Sequence, residues 1–280
     1  MITRTITALV GIAIAVVLVF WPGGLPFAVA IGLISVGGVM EFYHGVRRIG
    51  VRPVEWAGIL AVVLFVASMR TYERVSISSV FPLTLTLLLI LSFLVELIRK
   101  KRAPLVNVGV TVLGAIYVGW LISHLVVLRG LHGNVTVFGY TNTVGAWLVM
   151  YTFVCTWACD TGAYLIGRYY GRTKIAAKLS PNKTLEGAVG GLTCAVLIAA
   201  VAGVIIKLPP QHALALGAIF GVASQLGDLS ESAIKRELTI KDFGTIVPGH
   251  GGILDRFDSL LFTGPLAYYY ILHFLAKWQG

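Results

Sequence analysis

The chain has 280 residues, of which 57% are hydrophobic and only 12% are charged, and its mean hydropathy is +0.87. This composition excludes an ordinary soluble domain, because 280 residues do not enclose enough interior to bury so many apolar side chains. It predicts an all-α, polytopic membrane protein, in which basic residues between spans explain the net charge of +10 without a nucleic-acid partner.

Nine apolar segments are predicted to cross the membrane, since a spanning helix needs about 20 residues. A signal peptide is the alternative for the first segment, because Arg4 precedes it and Ala28-Val29-Ala30 resembles a cleavage site. That site falls inside the second segment, so two linked spans are the simpler interpretation. The predicted spans are about Thr5–Trp21, Leu25–Phe42, Val54–Met69, Val80–Ile98, Val106–Leu128, Val144–Ile166, Ala188–Ile206, His212–Leu226 and Leu260–Leu275.

The basic residues predict the orientation. If the N-terminus is cytoplasmic, 17 of the 22 Lys and Arg residues lie in connections that face the cytoplasm. The charge-free loop HGNVTVFGYTNT then lies on the opposite side. Eight of the 12 acidic residues occur from Asp160 onward. We therefore expect a single membrane domain, 1–280, with a hydrophobic scaffold over about 1–105 and a catalytic half over about 144–280.

The 32 residues that begin at Asp228 hold ten of the charged residues. One face of a helix that continues the eighth span would carry Asp228, Glu231, Ser232 and Lys235. A plain ion pair with lysine is the favoured interpretation for Glu231 and Glu237. Asp228 is different, because it lies at the inner end of an apolar span, where ionisable residues are costly and usually belong to a site.

The segment PGHGGILDRFDS ends this charged stretch. Gly251 and Gly252 permit tight turns whose N–H groups can face an anion. Asp255 and Asp258 are three residues apart and would repel each other without a cation, and carboxylates suit Mg²⁺ that also binds substrate phosphates. The pattern predicts chemistry at phosphorus, with a loop of solvated charges as the alternative. Further phosphate charge would be neutralised by Lys235, Arg236, Lys241 and Arg256.

A second polar segment runs from Asp160 to Gly191 and contains five basic residues. Its basic side chains could be cytoplasmic-side charge alone, or they could hold a headgroup or nucleotide phosphate. Three glycines would allow neighbouring backbones to approach closely, namely Gly187, Gly190 and Gly191.

These motifs resemble the phosphatidate cytidylyltransferase family, the CDP-diacylglycerol synthases. The family signature joins G-D-x-x-E-S and S-x-x-K-R to K-D and P-x-H-G-G-x-x-D-R-x-D. Here it is matched by Gly227, Asp228, Glu231, Ser232, Lys235, Arg236, Lys241, Asp242, Pro248, His250, Gly251, Gly252, Asp255, Arg256 and Asp258. The family segments D-T-G-A-Y and S-P-x-K-T-x-E-G-x-x-G-G begin at Asp160 and Ser180.

The resemblance implies transfer of the cytidylyl group of CTP to phosphatidic acid at the cytoplasmic side of the cell (inner) membrane. It implies that Asp228 and Asp255 hold the catalytic cations, mainly Mg²⁺ with room for K⁺, and that the protein is a homodimer among membrane lipids. We interpret Asp258 as a further acidic catalytic group, and Lys235 and Lys241 as phosphate clamps. The expected substrate-binding residues are Asp160, Ser180, Lys183, Ser232, Arg236, His250, Gly251, Gly252 and Arg256.

Three other functions are alternatives to this interpretation. A transporter or channel would also contain charges within spans, but it should carry its site near the bilayer midplane. A CDP-alcohol transferase would need D-G-x-x-A-R, which Asp160-Thr161-Gly162 does not match. A lipid kinase that uses CTP is distinguished only by its product.

Overall fold

The structure is a computed structural model that describes residues 2–70, 77–100, 102–244 and 251–275. These residues form ten α-helices, a π-helical segment at Ala115–Trp120, and two β-strands, so the predicted all-α class is confirmed. The helices are α1 (Ile2–Phe20), α2 (Leu25–Arg47), α3 (Glu55–Arg70), α4 (Ile77–Ile98), α5 (Pro104–Gly114), α6 (Leu121–Arg129), α7 (Val144–Tyr170), α8 (Leu185–Ile205), α9 (Pro210–Glu237) and α10 (Leu254–Phe274).

Five helical segments in the described part of the chain are long and apolar enough to cross a membrane. This agrees with a membrane protein, whereas the count of nine spans and the orientation of the N-terminus stay predictions. The third predicted span corresponds to α3, whose 16 residues extend about 24 Å, less than the hydrocarbon thickness of about 30 Å. The five segments are Leu25–Arg47, Val80–Ile98, Pro104–Arg129, Leu185–Ile205 and Pro210–Glu237.

The chain divides into two compact units, each built from two stretches of sequence. Unit 1 comprises Met1–Val127 and Glu237–Phe257. Unit 2 comprises Leu128–Arg236 and Asp258–Gly280.

The core of unit 1 is centred on Tyr43 of α2, which is fully buried. Its hydroxyl donates to the carbonyl oxygen of Thr111 on α5, at 2.6 Å. The ring fits because Gly58 of α3 and Gly114 of α5 have no side chains, and a Cβ at either position would overlap it. Thr111 Oγ1 in turn accepts from the backbone N–H of Val54 at 2.8 Å. These contacts fix α2, α3 and α5 against one another.

In unit 2, α7 and α8 pack backbone to backbone through glycines. A Cβ at Gly187 would lie 2.8 Å from the carbonyl oxygen of Ala163, and one at Gly191 would lie 2.8 Å from that of Cys159. The close approach predicted for these glycines is confirmed.

Gly191→Ala is therefore expected to destabilise the protein by about 1–3 kcal/mol, because the new methyl group must displace the α7 backbone. Thermal unfolding of the purified protein in detergent should show a lower melting temperature. Gly109→Ala is the matched control, since a Cβ at that helical position meets nothing within 4 Å and alanine favours helix more than glycine does. Equal melting temperatures for the two variants would contradict the tight α7–α8 contact.

The charge-free segment interpreted as a loop contains a β-hairpin in unit 2. Strand β1 (Asn134–Val137) pairs antiparallel with β2 (Tyr140–Thr143). Phe138 and Gly139 form the two-residue turn with φ of 51° and 80°, as a hairpin turn with left-handed residues requires. Strands of four residues carry too little alternation to be recognised from sequence.

Candidate active site

The polar face predicted for the end of the eighth span is present on α9. Lys235 Nζ lies 2.5 Å from Glu231 Oε2, and the Ser232 hydroxyl donates to Asp228 Oδ1 at 3.4 Å. The ion pair predicted for Glu231 is thus confirmed. Glu231 is only 1% exposed, so this ion pair is buried.

The start of α10 lies against α9 at Gly227. A Cβ at Gly227 would lie 2.6 Å from the carbonyl oxygen of Asp258, so only glycine permits this approach. Carboxylate oxygens of Asp228, Glu231 and Asp258 consequently lie within 4.8 Å of one another. We refer to these three residues as the acidic cluster.

The acidic cluster has the donor atoms that a cation site requires. Burial, and after it the negative charge of Asp228, raises the pKa of the Asp258 carboxyl above its usual range. Crowded carboxylates of this kind repel one another until a positive charge lies among them. Hard oxygen donors at this spacing fit Mg²⁺, which binds through a few carboxylates together with water or phosphate oxygens.

Asp160 of α7 joins the same region of unit 2. The Ser224 hydroxyl donates to Asp160 Oδ1 at 2.6 Å, and the Ser259 hydroxyl contacts the same oxygen at 3.4 Å. These two serines belong to α9 and α10, so α7, α9 and α10 meet at one carboxylate. Sequence alone does not reveal these contacts of Ser224 and Ser259, because a serine in an apolar helix has no distinctive pattern.

Lys183 supplies a positive charge to the acidic cluster. Its Nζ lies 2.9 Å from Asp228 Oδ2. The position follows from the N-terminus of α8, where Thr184 Oγ1 caps the helix by accepting from Gly187 N–H at 3.1 Å. Glu186, in the first turn of α8, accepts from the backbone N–H groups of Arg172 and Thr173. This contact joins the start of the loop between α7 and α8 to the helix that follows it. The local structure of this loop therefore places Lys183 beside Asp228.

Two further residues predicted to bind substrate, Ser180 and Arg236, lie in or against the loop between α7 and α8. Arg236 Nε donates to the carbonyl oxygen of Leu179 at 3.0 Å, which holds the loop beside α9. Ser180 follows Leu179 in a turn where its N–H donates to Ala176 at 2.8 Å. Arg236 thus positions the loop, and its role in substrate binding stays a prediction.

Asp255 lies in unit 1 and is 7% exposed. Its Oδ2 accepts from the backbone N–H groups of Phe243 and Gly252, at 2.9 and 2.8 Å. Gly251 has a φ of 91°, which glycine adopts without strain. One oxygen of Asp255 therefore anchors the glycine-rich turn. Asp228 lies in unit 2, and the prediction that both aspartates hold the catalytic cations stays a prediction.

Glu41 of α2 is a buried acidic residue in unit 1 that the sequence analysis missed. Its Oε2 accepts from Leu254 N–H at 3.0 Å, and a Cβ at Gly252 would lie 2.5 Å from the same oxygen. Glu41 thus occupies the space that a side chain at Gly252 would need. The first half was interpreted as hydrophobic scaffold, and a lone glutamate within an apolar span gave no signal of its distant partner.

The remaining predicted residues are placed as follows. Lys241 and Arg256 are exposed residues of unit 1. His250 lies outside the described residues, as does Pro248.

The described part of unit 2 therefore brings together four carboxylates and two lysines, from α7, α9, α10 and the loop that precedes α8. A charged set of this composition can hold a divalent cation and neutralise phosphate oxygens.

Comparison with known proteins gives consistent similarities along the whole chain. The profile of the Cytidylyltransferase family matches residues 2–274. A phosphatidate cytidylyltransferase from Synechocystis sp. is 34% identical over an alignment 287 residues long. The alignment covers 96% of this chain and 96% of the relative. The Bacillus subtilis protein of that name is 34% identical, covering 95% and 97%. The Staphylococcus haemolyticus protein is 32% identical, covering 94% and 96%.

Proposed function

Because this chain belongs to the cytidylyltransferase family, and is thus a nucleotidyltransferase, we propose that it transfers the cytidylyl group of CTP to phosphatidic acid. The products would be CDP-diacylglycerol, used for phospholipid synthesis, and pyrophosphate. The observation that carries the proposal is the acidic cluster with its two lysines, which is built from residues of the family motifs.

The reaction needs no nucleophile from the protein. A phosphate oxygen of phosphatidic acid attacks the α-phosphorus of CTP and forms the new P–O bond. The bond from that phosphorus to the oxygen bridging to the β-phosphate breaks, and pyrophosphate leaves with the electron pair. A phosphate monoester is already an anion at neutral pH, since its second pKa is about 6, so a general base contributes little.

In this proposal Mg²⁺ is held by Asp228 and Asp258, with Glu231 as the third carboxylate of the acidic cluster. When bound, the ion supplies positive charge to the phosphate oxygens. For Asp255, the role of cation ligand follows from the motif resemblance, which also allows K⁺ as a companion.

The lysines and the glycine-rich segment would bind and orient phosphates. Lys183 and Lys235 lie beside the acidic cluster, and Lys241 would act from the segment that precedes the glycine-rich turn. Asp160, held by two serine hydroxyls, would orient substrate or water at the edge of the cluster. The other substrate-binding residues in the proposal are Ser180, Ser232, Arg236, His250, Gly251, Gly252 and Arg256.

We also propose a cytoplasmic N-terminus and an active site on the cytoplasmic side of the cell (inner) membrane, where CTP is available. The distribution of Lys and Arg supports this orientation. A homodimer among membrane lipids completes the proposal, on the basis of the resemblance.

Position-specific labelling tests the reaction. Purified protein in detergent is given phosphatidic acid and CTP labelled at either the α- or the γ-phosphate, with Mg²⁺ withheld and then restored. The α-label should enter the lipid fraction only with Mg²⁺, while the γ-label should remain in water as pyrophosphate. Transfer of the γ-label to lipid would instead identify a lipid kinase, and absence of any lipid label would refute both.

Lys183→Gln is expected to lower kcat/KM for CTP about 10- to 100-fold, because it removes a charge-assisted interaction of about 1.5–3 kcal/mol at the acidic cluster. The measurement is the α-label assay at several CTP concentrations. Lys178→Gln is the matched control, since Lys178 is an exposed lysine of the same loop and should keep near-normal activity. Equal activities for the two variants would exclude Lys183 from the site.

A further inference from the structure

Unit 1 contains a basic cavity to which the proposed reaction assigns no role. Its volume is about 790 Å³. It is lined by residues 50–53, between α2 and α3, together with Arg47, Arg99 and Lys100. None of these residues belongs to the acidic cluster or to the family motifs.

The wall of the basic cavity is fixed by buried polar contacts. Glu96 is 2% exposed, and it pairs with Arg99 and accepts from Asn107 Nδ2 at 3.0 Å. Asn107 Oδ1 accepts from the backbone N–H of Arg52 at 2.9 Å. The Arg99 guanidinium also donates to the backbone carbonyls of Arg52 and Pro53. Because each of these groups has partners, the cavity is formed before any ligand binds.

The basic cavity keeps an excess of positive charge. Arg99 is paired with Glu96, and Arg47 is paired with Glu55. The side chains of Arg52 and Lys100 have no ion-pair partner among the residues that the structure describes. Two cations therefore remain for an anionic ligand.

An apolar groove continues from the basic cavity along α3. The groove has a volume of about 410 Å³ and shares Arg47, Pro53 and Arg99 with the cavity. Its other walls are Val54, Glu55, Trp56, which is 54% exposed, and Ile59. The Glu55 carboxylate is paired with Arg47, so the unpaired part of this wall is apolar. A cationic pocket joined to an apolar groove matches an amphiphile, whereas a nucleotide would leave the groove unfilled.

We propose that the basic cavity binds the phosphate headgroup of an anionic glycerophospholipid, with an acyl chain in the groove beside Trp56 and Ile59. Both chain connections that line the cavity carry clusters of basic residues, as expected at the headgroup level of an anionic leaflet. This site goes beyond the proposed catalytic function and is tested without an activity assay.

The test measures lipid binding to the purified full-length protein by native mass spectrometry. The probes are dioctanoyl phosphatidylglycerol, which is anionic, and dioctanoyl phosphatidylcholine, which is zwitterionic. Phosphatidylglycerol should bind more tightly. The Arg52→Gln, Lys100→Gln double variant should weaken its binding about 30-fold, since each cation that lines the cavity beside the headgroup contributes about a factor of five. Arg48→Gln, an exposed cation of the same connection that does not line the cavity, should bind like the parent.

Each contrary result overturns the proposal. Equal binding of the two lipids would exclude recognition of anionic charge, and unchanged binding by the double variant would place the lipid elsewhere. Glycerol 3-phosphate that bound as tightly as phosphatidylglycerol would identify a site for soluble phosphate instead of lipid. The single variant Arg52→Gln, expected to weaken binding about fivefold, guards against misfolding of the double variant.

Discussion

Asp228→Asn is expected to reduce CDP-diacylglycerol formation by about 100-fold or more while the protein remains folded. Asp228 contributes a carboxylate to the acidic cluster and pairs with Lys183 at 2.9 Å. Asparagine has nearly the same shape but no charge, so it weakens cation binding and leaves the lysine without its counter-ion. The α-label assay measures the loss, and the melting temperature reports on the fold.

Glu237→Gln is the matched control for this prediction. Glu237 is the last residue of the same helix and is exposed, and the substitution is the same change from acid to amide. It should keep near-normal activity. Near-normal product formation by Asp228→Asn would remove this aspartate from the metal site and, with it, the main support for the acidic cluster as the catalytic centre.

The parts of this site that sequence predicts correctly are those encoded by short spacings. Asp228, Glu231 and Lys235 fall on one helical face because residues three and four apart lie one turn apart on a helix. Gly187 and Gly191 predict close helix packing because they have no side chain to keep α7 and α8 apart. The family resemblance, carried by such local motifs in the second half, is confirmed by relatives that match nearly the full chain.

The parts that sequence does not predict depend on contacts between distant segments. Sequence predicts Asp258 as a further acidic group but not its contact with α9, because nothing in its neighbourhood shows that Gly227 brings α10 against α9. Ser224 reaches Asp160 across 64 positions of sequence, and Glu41 reaches Leu254 across 213. Such pairs follow from helix packing as a whole, so no periodicity in one segment reveals them.

Two buried acidic residues of the first half make polar contacts with other segments of unit 1. Glu41 holds the backbone that follows the glycine-rich turn, and Glu96 fixes the wall of the basic cavity. Each is an isolated acidic residue in an apolar helix, where burial without partners would cost several kcal/mol. Both therefore mark places where the apolar half organises polar segments.

Asp255→Asn is expected to abolish CDP-diacylglycerol formation in the α-label assay, if Asp255 is a cation ligand as the motif implies. The substitution separates two roles of this side chain. Asparagine keeps an oxygen that can accept from the N–H groups of Phe243 and Gly252, so the glycine-rich turn stays anchored. It removes the negative charge that a cation requires.

Asp255→Ala is the companion variant, because it removes both the anchoring oxygen and the charge. If charge is what the reaction needs, both variants lose activity, but the asparagine variant keeps a melting temperature close to that of the parent while the alanine variant melts lower. If anchoring is the whole role, asparagine retains activity and alanine does not. That second pattern would withdraw Asp255 from metal binding and leave the acidic cluster of unit 2 as the cation site, because its three carboxylates come together without any contribution from Asp255.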